Sequence, residues 1–554
     1  MSFVFSRHGL NRRDQFLQRF FEILPGATSW SLLLGMTALS FSKPVLAAII
    51  IIAFYVYWIM RVIFAVIFLI LAYFRLSLEK KTDWMARLEA FENPETYERR
   101  LKNIIKASPL KRKISLWIHL QEMRDFCRRS VEWLTYSQIY HLVLIPVANE
   151  GKEILEPAIR SLRTGTYPVE RMMVVIALEM WASAEVKTGV YGLCQKYQGV
   201  FMDFRIVEHP EGLPGEARVK GANITWAAMD AARDLARKDI APDHVIVSCF
   251  DADTVVSSDY FACLTYTFLA CPERQRASFQ PVPVYHNNIW SVPHFAKVLE
   301  TSSSFFILVE TTNPDKLVTF SSHSMSFKAL VDIGYWPVDM ISDDSLIFWK
   351  ALIHYDGDYR VVPMYVTVSM DVVDAGHWLK TAQGVYRQKR RWAWGVEGFP
   401  LVMRGFLQME KLSLPKRIAH VIKMFEGHVM WATWSFLLMV IGWLPAVLAT
   451  REYSGSVVYY SSSRISSVIF SLSYFTLFVL ISLSLALLPR KRMRYGFFKR
   501  CLFALQWFLL PWINVFFAAM PALDAQTRLM LGRYMEFWVA DKRRALRKKP
   551  SLSL

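Results

Sequence analysis

Val245-Ile246-Val247-Ser248-Cys249-Phe250-Asp251-Ala252-Asp253 is the stretch on which the reading of this chain turns. Its apolar run has strand length without polar alternation, as a strand buried on both faces does, and it delivers two carboxylates to the strand's carboxyl end. In open α/β sheets that end faces the crevice where ligands bind. Two acids there can grip a divalent cation, which neutralises phosphate charge and helps a diphosphate to leave. An Asp-X-Asp pair also occurs in solvated turns, so the choice between the two rests on the remainder of the chain.

Around this stretch, short apolar runs alternate with amphipathic ones. Residues 141–146 read as a buried strand, 152–162 as a helix, 172–178 as a second strand and 186–197 as a helix. Residues 204–207 suggest a further strand and 217–235 a helix leading to the strand that ends at Asp251. Repeated βαβ units of this size predict an α/β domain with a mainly parallel sheet and helices on both faces. The acidic residues considered below then fall at strand ends or in the loops that follow them.

Further out, the composition departs from that of a soluble enzyme. The chain has 554 residues, 53% of them hydrophobic, which is too long for one domain. Residues 26–42 are apolar and uncharged, and 45–74 carry only Arg61. A helix rising about 1.5 Å per residue over the second run exceeds the ~30 Å hydrocarbon core. Two spans in immediate succession read as an anchor and not as a cleaved signal peptide. Residues 428–449 and 466–488 meet the same length rule, and 501–520 form a candidate containing Pro511.

The net charge of +18 is concentrated beside these runs. Arg7, Arg12, Arg13 and Arg19 precede the first, and Lys80, Lys81, Arg99, Arg100, Lys111, Arg112 and Lys113 follow the second. The positive-inside rule places both flanks, and the domain between the spans, in the cytosol of a multi-pass protein of the cell (plasma or inner) membrane. Because a full crossing by 501–520 would strand the basic tail around Lys542-Arg543-Arg544 outside, a re-entrant or interfacial segment bent at Pro511 is expected. The basic balance points to anionic membrane lipids, and no nucleic-acid motif accompanies it. Cys127, Cys194, Cys249, Cys263, Cys271 and Cys501 lack metal-ligand spacing and read as reduced packing residues. The charged segment 75–130 reads as a solvated or interfacial connector.

Two downstream segments complete the pattern. Ile341-Ser342-Asp343-Asp344-Ser345-Leu346 precedes an amphipathic run, so its acids sit in a loop or cap a helix. Tyr386-Arg387-Gln388-Lys389-Arg390-Arg391-Trp392 interleaves cations with an indole, which suits either a membrane interface or a phosphate and sugar site. In this order the three segments resemble the signature of membrane-embedded family 2 glycosyltransferases, the group of cellulose, chitin, hyaluronan and mannan synthases. That signature is D-x-D at a strand end, T-E-D or a variant, then Q-x-x-R-W. Pro146-Val147-Ala148-Asn149-Glu150 resembles the family's P-x-x-N-E loop, and Lys220-Gly221-Ala222-Asn223 its K-G-x-N stretch. Thr319 to Ser326, with His323, resembles the loop before the base that shapes the acceptor pocket.

The resemblance implies a GT-A type domain inserted between transmembrane helices, and with it a set of roles. Asp251 and Asp253 would hold Mg²⁺ or Mn²⁺, while Asn149, Glu179 and Lys220 would help bind the nucleotide sugar. For Lys220 a simple helix-surface placement stands beside that role. Asp344 would be the general base, and Asp343, Gln388, Arg391 and Trp392 would line the acceptor and diphosphate end. Glu179 stands where the family usually has aspartate, and Ser342-Asp343 replaces Thr-Glu. The implied organisation is a basic N-terminus (1–25), two spans (26–75), a connector (76–135), the transferase domain (136–397), interfacial helices (398–427), a C-terminal membrane region (428–520) and a basic tail (521–554). The implied reaction is inverting, metal-dependent transfer from a UDP- or GDP-linked sugar to a growing polysaccharide, with passage of the polymer across the membrane. Single addition to a lipid-linked acceptor is the alternative, and a non-catalytic scaffold with a degenerate domain is the reading from another class.

Overall fold

The computed structural model describes residues 3–128, 134–448, 451–487, 501, 504–536 and 538. The basic residues Lys542-Arg543-Arg544 of the tail lie outside these residues. The described chain divides into two compact units, one of Met1–Tyr73, Pro293–Thr312 and Ala382–Trp538, the other of Phe74–Val292 and Asn313–Thr381.

The second unit holds an eight-stranded sheet. Its strands are β1 (Tyr140–Val147), β2 (Met172–Glu179), β3 (Asp203–His209), β4 (Val245–Cys249), β5 (Val255–Val256), β6 (Ala277–Val284), β7 (Ser324–Ser326) and β8 (Arg360–Ser369). They lie side by side in the order β3-β2-β1-β4-β7-β6-β8-β5. The half from β3 to β4 is parallel throughout, with Val143 opposite Val174 and Leu144 opposite Cys249. β7 runs antiparallel to both β4 and β6, and β5 antiparallel to β8, while β6 and β8 are parallel. Every residue of β2 and β4 is buried, which explains their unbroken apolar sequences: helices cover both faces, so neither face needs polar side chains. Lys152–Arg163, Ala184–Tyr197 and Lys220–Arg237 are the helices between the first four strands, close to their sequence-based limits.

The charged segment 75–130, expected as a solvated or interfacial connector, also packs part of its surface into this unit. Leu88, Leu101 and Met123, from the helices Trp84–Ala90, Pro94–Ala107 and Leu110–Cys127, are fully buried. Their charged neighbours enter a buried polar cluster. Arg87 donates to Glu79 at 3.3 Å and to Ser115 at 2.6 Å, and lies 4.9 Å from the centre of the Trp84 ring. His119, whose pKa burial pushes down to about 3 with Arg87 adding to the effect, bonds the Tyr266 hydroxyl at 2.6 Å, and Tyr266 donates to Glu122 at 2.7 Å. A charge-rich sequence reads as solvated because composition does not reveal that its charges pair.

The first unit is helical. Arg12–Ser42, Pro44–Glu79 (which runs on into the second unit), Val457–Leu487 and Gln506–Met530 are each long and apolar enough to cross a membrane. Leu414–Met439 and Ile441–Val447 would make a fifth span if the pair, bent by 43°, is one. The bend expected at Pro511 is therefore elsewhere. Pro511 occupies the first turn of Leu510–Asn514, where a helix has no use for the missing N–H, so the segment continues to Met530. The break falls at Val440, beside Gly442, where an added Cβ would lie 2.0 Å from the Tyr55 hydroxyl oxygen. Gly442 is thus the residue that lets the broken helix approach its neighbour.

Removing Arg87 tests the cluster. Arg87→Met leaves Glu79 buried without its cation and is expected to destabilise the protein by roughly 3–5 kcal/mol. Thermal melting of purified protein in detergent reads this, and an unchanged melting temperature counts against it.

Candidate active site

The site is built where β4 ends. The backbone N–H of Phe250 still bonds the carbonyl of Leu144 at 3.0 Å, so Asp251 is the first residue released from the sheet. Its Oδ1 accepts from Lys220 Nζ at 2.9 Å and its Oδ2 from Ser321 Oγ at 2.7 Å. The same ammonium donates to Asp344 Oδ1 at 2.8 Å and stands 3.8 Å from Asp343. One lysine thereby ties the carboxylates of Asp251 and Asp344, 93 positions apart in the sequence, to a common point.

Backbone packing makes this meeting possible. Lys220 opens the helix Lys220–Arg237, and Asp343 opens the helix Asp343–His354, whose partial positive end favours two acids in its first turn. The two starts abut because Gly221 has no side chain: a Cβ there would lie 2.2 Å from the carbonyl oxygen of Pro337 and 3.3 Å from Asp343 Cβ. Ala217 N–H bonds Val338 O at 3.0 Å and Thr225 Oγ1 bonds Trp336 O at 3.3 Å, which fix the loop against the helix on either side of Gly221. Burial opposes the charge on Lys220, but Asp251 and Asp344, with Cys249 and Asp343 beyond them, hold its pKa well above the ordinary lysine value. Lys220 is 9% exposed, which removes the helix-surface alternative.

The remaining candidates are distributed unevenly around this point. Asp343 is buried, whereas the side chains of Asp251 and Asp344 are about a quarter exposed, at 26% and 27%. Asp253 is fully buried; its Oδ2 accepts the N–H of Asp371 at 2.7 Å, and its carbonyl accepts from Asn287 at 2.9 Å. Asn149 is exposed in the turn after β1, where Glu150 accepts the N–H groups of Ala148 and Asn149. Glu179 is buried at the end of β2 and meets His209 Nδ1 at 3.0 Å, while the other ring nitrogen meets Glu216 at 2.9 Å. Burial disfavours the imidazolium, yet the two carboxylates raise the His209 pKa above its ordinary value. His323 is packed under the site with Nδ1 on the carbonyl of Phe320, and burial lowers its pKa.

Gln388, Arg391 and Trp392 belong to the other unit. They lie on the helix Trp378–Ala393. Gln388 is 5% exposed, and its side-chain carbonyl oxygen has no hydrogen-bond partner among the described residues. The ammonium of Lys389 lies 3.5 Å from the centre of the Trp392 ring.

Three contributors escaped sequence reasoning. Ser321 lies in a stretch singled out for the acceptor pocket, but nothing local marks its bond to Asp251. Gly221 stands in the K-G-x-N stretch, where nothing local marks its packing role. His209 had a usable signal, since it ends the third strand as Glu179 ends the second, and the two are register partners.

A family model described as "Glycosyl transferase family group 2" matches residues 246–520. A poly-beta-1,6-N-acetyl-D-glucosamine synthase of Staphylococcus epidermidis is 26% identical over 372 residues, covering 66% of this chain and 77% of that protein. A synthase of the same name from Staphylococcus aureus is 28% identical over 197 residues, covering 35% and 44%. Among solved structures, the mannosyltransferase PcManGT from Pyrobaculum calidifontis, in complex with GDP-Man and Mn²⁺, aligns at 16% identity and a TM-score of 0.39 over 72% of this chain and 96% of its own. The chain carries a family 2 glycosyltransferase domain, matched over residues 246–520 and similar to the staphylococcal synthases. It is accordingly an enzyme of the glycosyltransferase class, which sets aside the scaffold reading.

Gly221→Ala is expected to force the Pro337 loop outward and separate Lys220 from Asp344, at a stability cost of roughly 1–3 kcal/mol. Transfer activity should fall by more than the loss of folded protein explains, and a variant with wild-type specific activity would refute the packing role.

Proposed function

We propose that this chain is an inverting glycosyltransferase that takes nucleotide-activated N-acetylglucosamine on the cytosolic side of a membrane and adds it to a growing polysaccharide. The observation that carries the reading is the convergence of Asp251 and Asp344 on Lys220. It supplies, in one place, a carboxylate at a strand end for the diphosphate side, a carboxylate for the acceptor side and a cation between them. The polysaccharide and the sugar are taken from the names of the staphylococcal relatives.

In this reading Asp344 accepts the proton of an acceptor hydroxyl as that oxygen attacks the anomeric carbon. The new C–O bond forms on the face opposite the breaking bond to the diphosphate, and the nucleoside diphosphate departs with the bonding electrons, so configuration inverts. Lys220 lies between the two acids and balances their charge. A donor diphosphate competes for that ammonium, which would free Asp344 to take a proton as the donor arrives. Gln388, Arg391 and Trp392 take the acceptor end, with the indole offering a sugar-stacking surface and Gln388 an unused acceptor oxygen.

The described residues contain no group of three or more His, Cys, Asp or Glu side chains arranged to hold an ion. Mg²⁺ or Mn²⁺ is commonly held by one or two carboxylates together with substrate phosphates. Asp251, partly exposed, fits this donor set; Asp253, already bonded to the Asp371 N–H, would contribute its second oxygen. Such a cation, when bound, neutralises the charge gathering on the leaving diphosphate. Membrane embedding is supported by the apolar helices, and the cytosolic orientation by the basic flanks. Transfer of the finished polymer across the membrane is the further step this arrangement suggests.

Purified protein in detergent, supplied with UDP- and GDP-linked sugars with and without Mg²⁺ or Mn²⁺, should release nucleoside diphosphate only when metal and an N-acetylglucosamine donor are both present. Sizing the product separates the alternatives: a high-mass ladder supports polymerisation, and one defined glycolipid replaces it with single addition. Asp344→Asn should lower transfer by roughly 10²–10⁴-fold while donor affinity stays within about twofold. Turnover close to wild type in that variant would eliminate Asp344 as the base.

A further inference from the structure

The acceptor motif is held by an ion pair that its own sequence does not contain. Within the helical unit, Lys389, the first intervening residue of Q-x-x-R-W, donates to Glu300 Oε2 at 2.9 Å and to Ser303 Oγ at 3.0 Å. Glu300 and Ser303 lie on the helix His294–Glu310, 89 and 86 positions earlier. The side chains of Lys389 and Glu300 are 3% and 1% exposed. The same ammonium lies 3.5 Å from the centre of the Trp392 ring, well inside the range of a cation–π contact. Burying a lysine is costly, and a hydrophobic residue would serve packing better unless the charge has a use. Here the use is visible, since the cation presses on one face of the indole and its position is dictated by Glu300.

We propose that Glu300 is a positioning residue for sugar transfer: through Lys389 it fixes the orientation of the Trp392 ring and thereby sets how tightly the acceptor saccharide is stacked. The proposal rests on the assignment of Trp392 to the acceptor end. Burial lowers the pKa of Lys389 and Glu300 opposes that shift, so neutralising Glu300 removes the group that keeps the ammonium charged. An uncharged amine has no electrostatic attraction for the indole face, so the contact that sets the ring's orientation is weakened.

The test uses full-length protein with Glu300→Gln, Glu300→Asp and Trp392→Phe. With 5-fluorotryptophan incorporated, Trp392 is assigned among the 19 tryptophans as the fluorine resonance missing from Trp392→Phe. That resonance should shift or broaden in Glu300→Gln and return towards wild type in Glu300→Asp, a readout that needs no substrate. With UDP-N-acetylglucosamine as donor and an N-acetylglucosamine tetrasaccharide as acceptor, Glu300→Gln should raise the acceptor KM about tenfold, keep kcat within about twofold and leave donor hydrolysis by water unchanged. An unaltered Trp392 resonance in Glu300→Gln overturns the proposal, as does an equal fall in transfer and donor hydrolysis, which marks a purely structural role. If the resonance moves but Trp392→Phe itself leaves the acceptor KM unchanged, the assignment of the acceptor end has failed, and with it the role given to Glu300 in transfer.

Discussion

The bridge from Lys220 to Asp251 and Asp344 is the constraint on which the site depends. Three charged groups meet at bonding distance in a place where only one of them is deeply buried. The ammonium is the common partner that balances the charge of both carboxylates. The arrangement is also conditional. A lysine that balances two acids can be drawn away by a third, more strongly charged group, and a diphosphate is such a group. In the proposed mechanism, donor binding and release of Asp344 as the base would be linked by charge balance.

The rest of the second unit serves that meeting. The parallel half of the sheet carries β4 through a doubly covered core and releases the chain at Asp251. Antiparallel β7 then returns the loop containing Ser321 and His323 beside it, which is why Asp251 has a hydroxyl partner from a segment 70 residues downstream. Gly221 sets the closeness of two helix starts, and it does so by having nothing to displace. Asp253 takes a different part: its bond to the Asp371 backbone ties the strand-end turn to the segment that follows β8.

The helical unit shows the same economy in another form. Lys389 and Arg390, neighbours on one helix, are neutralised by Glu300 and by Asp524, at 2.9 and 2.8 Å. Both carboxylates come from helices remote in sequence. Lys389 and Arg390 are thus paired within the helical unit, although a cation-rich and indole-rich segment reads equally well as a membrane-surface feature. Local composition cannot separate the two because it holds no record of the carboxylates.

Much of the site was legible before any coordinates. Apolar runs without alternation gave the buried strands, the strand end gave Asp251, and the first turn of a helix gave Asp343 and Asp344, since each follows from periodicity or from a helix terminus. What periodicity carries is local, and it fixed the α/β class and the stretches apolar enough to cross a membrane. Lys220 as the common partner, the full burial of Asp253, the folding of the charged connector into the core and the placing of the helix break at Val440 instead of Pro511 were decided only by tertiary structure. Each of these depends on which distant groups arrive beside a residue. A charge, a proline or a glycine looks the same in sequence whether or not a partner has been brought to it.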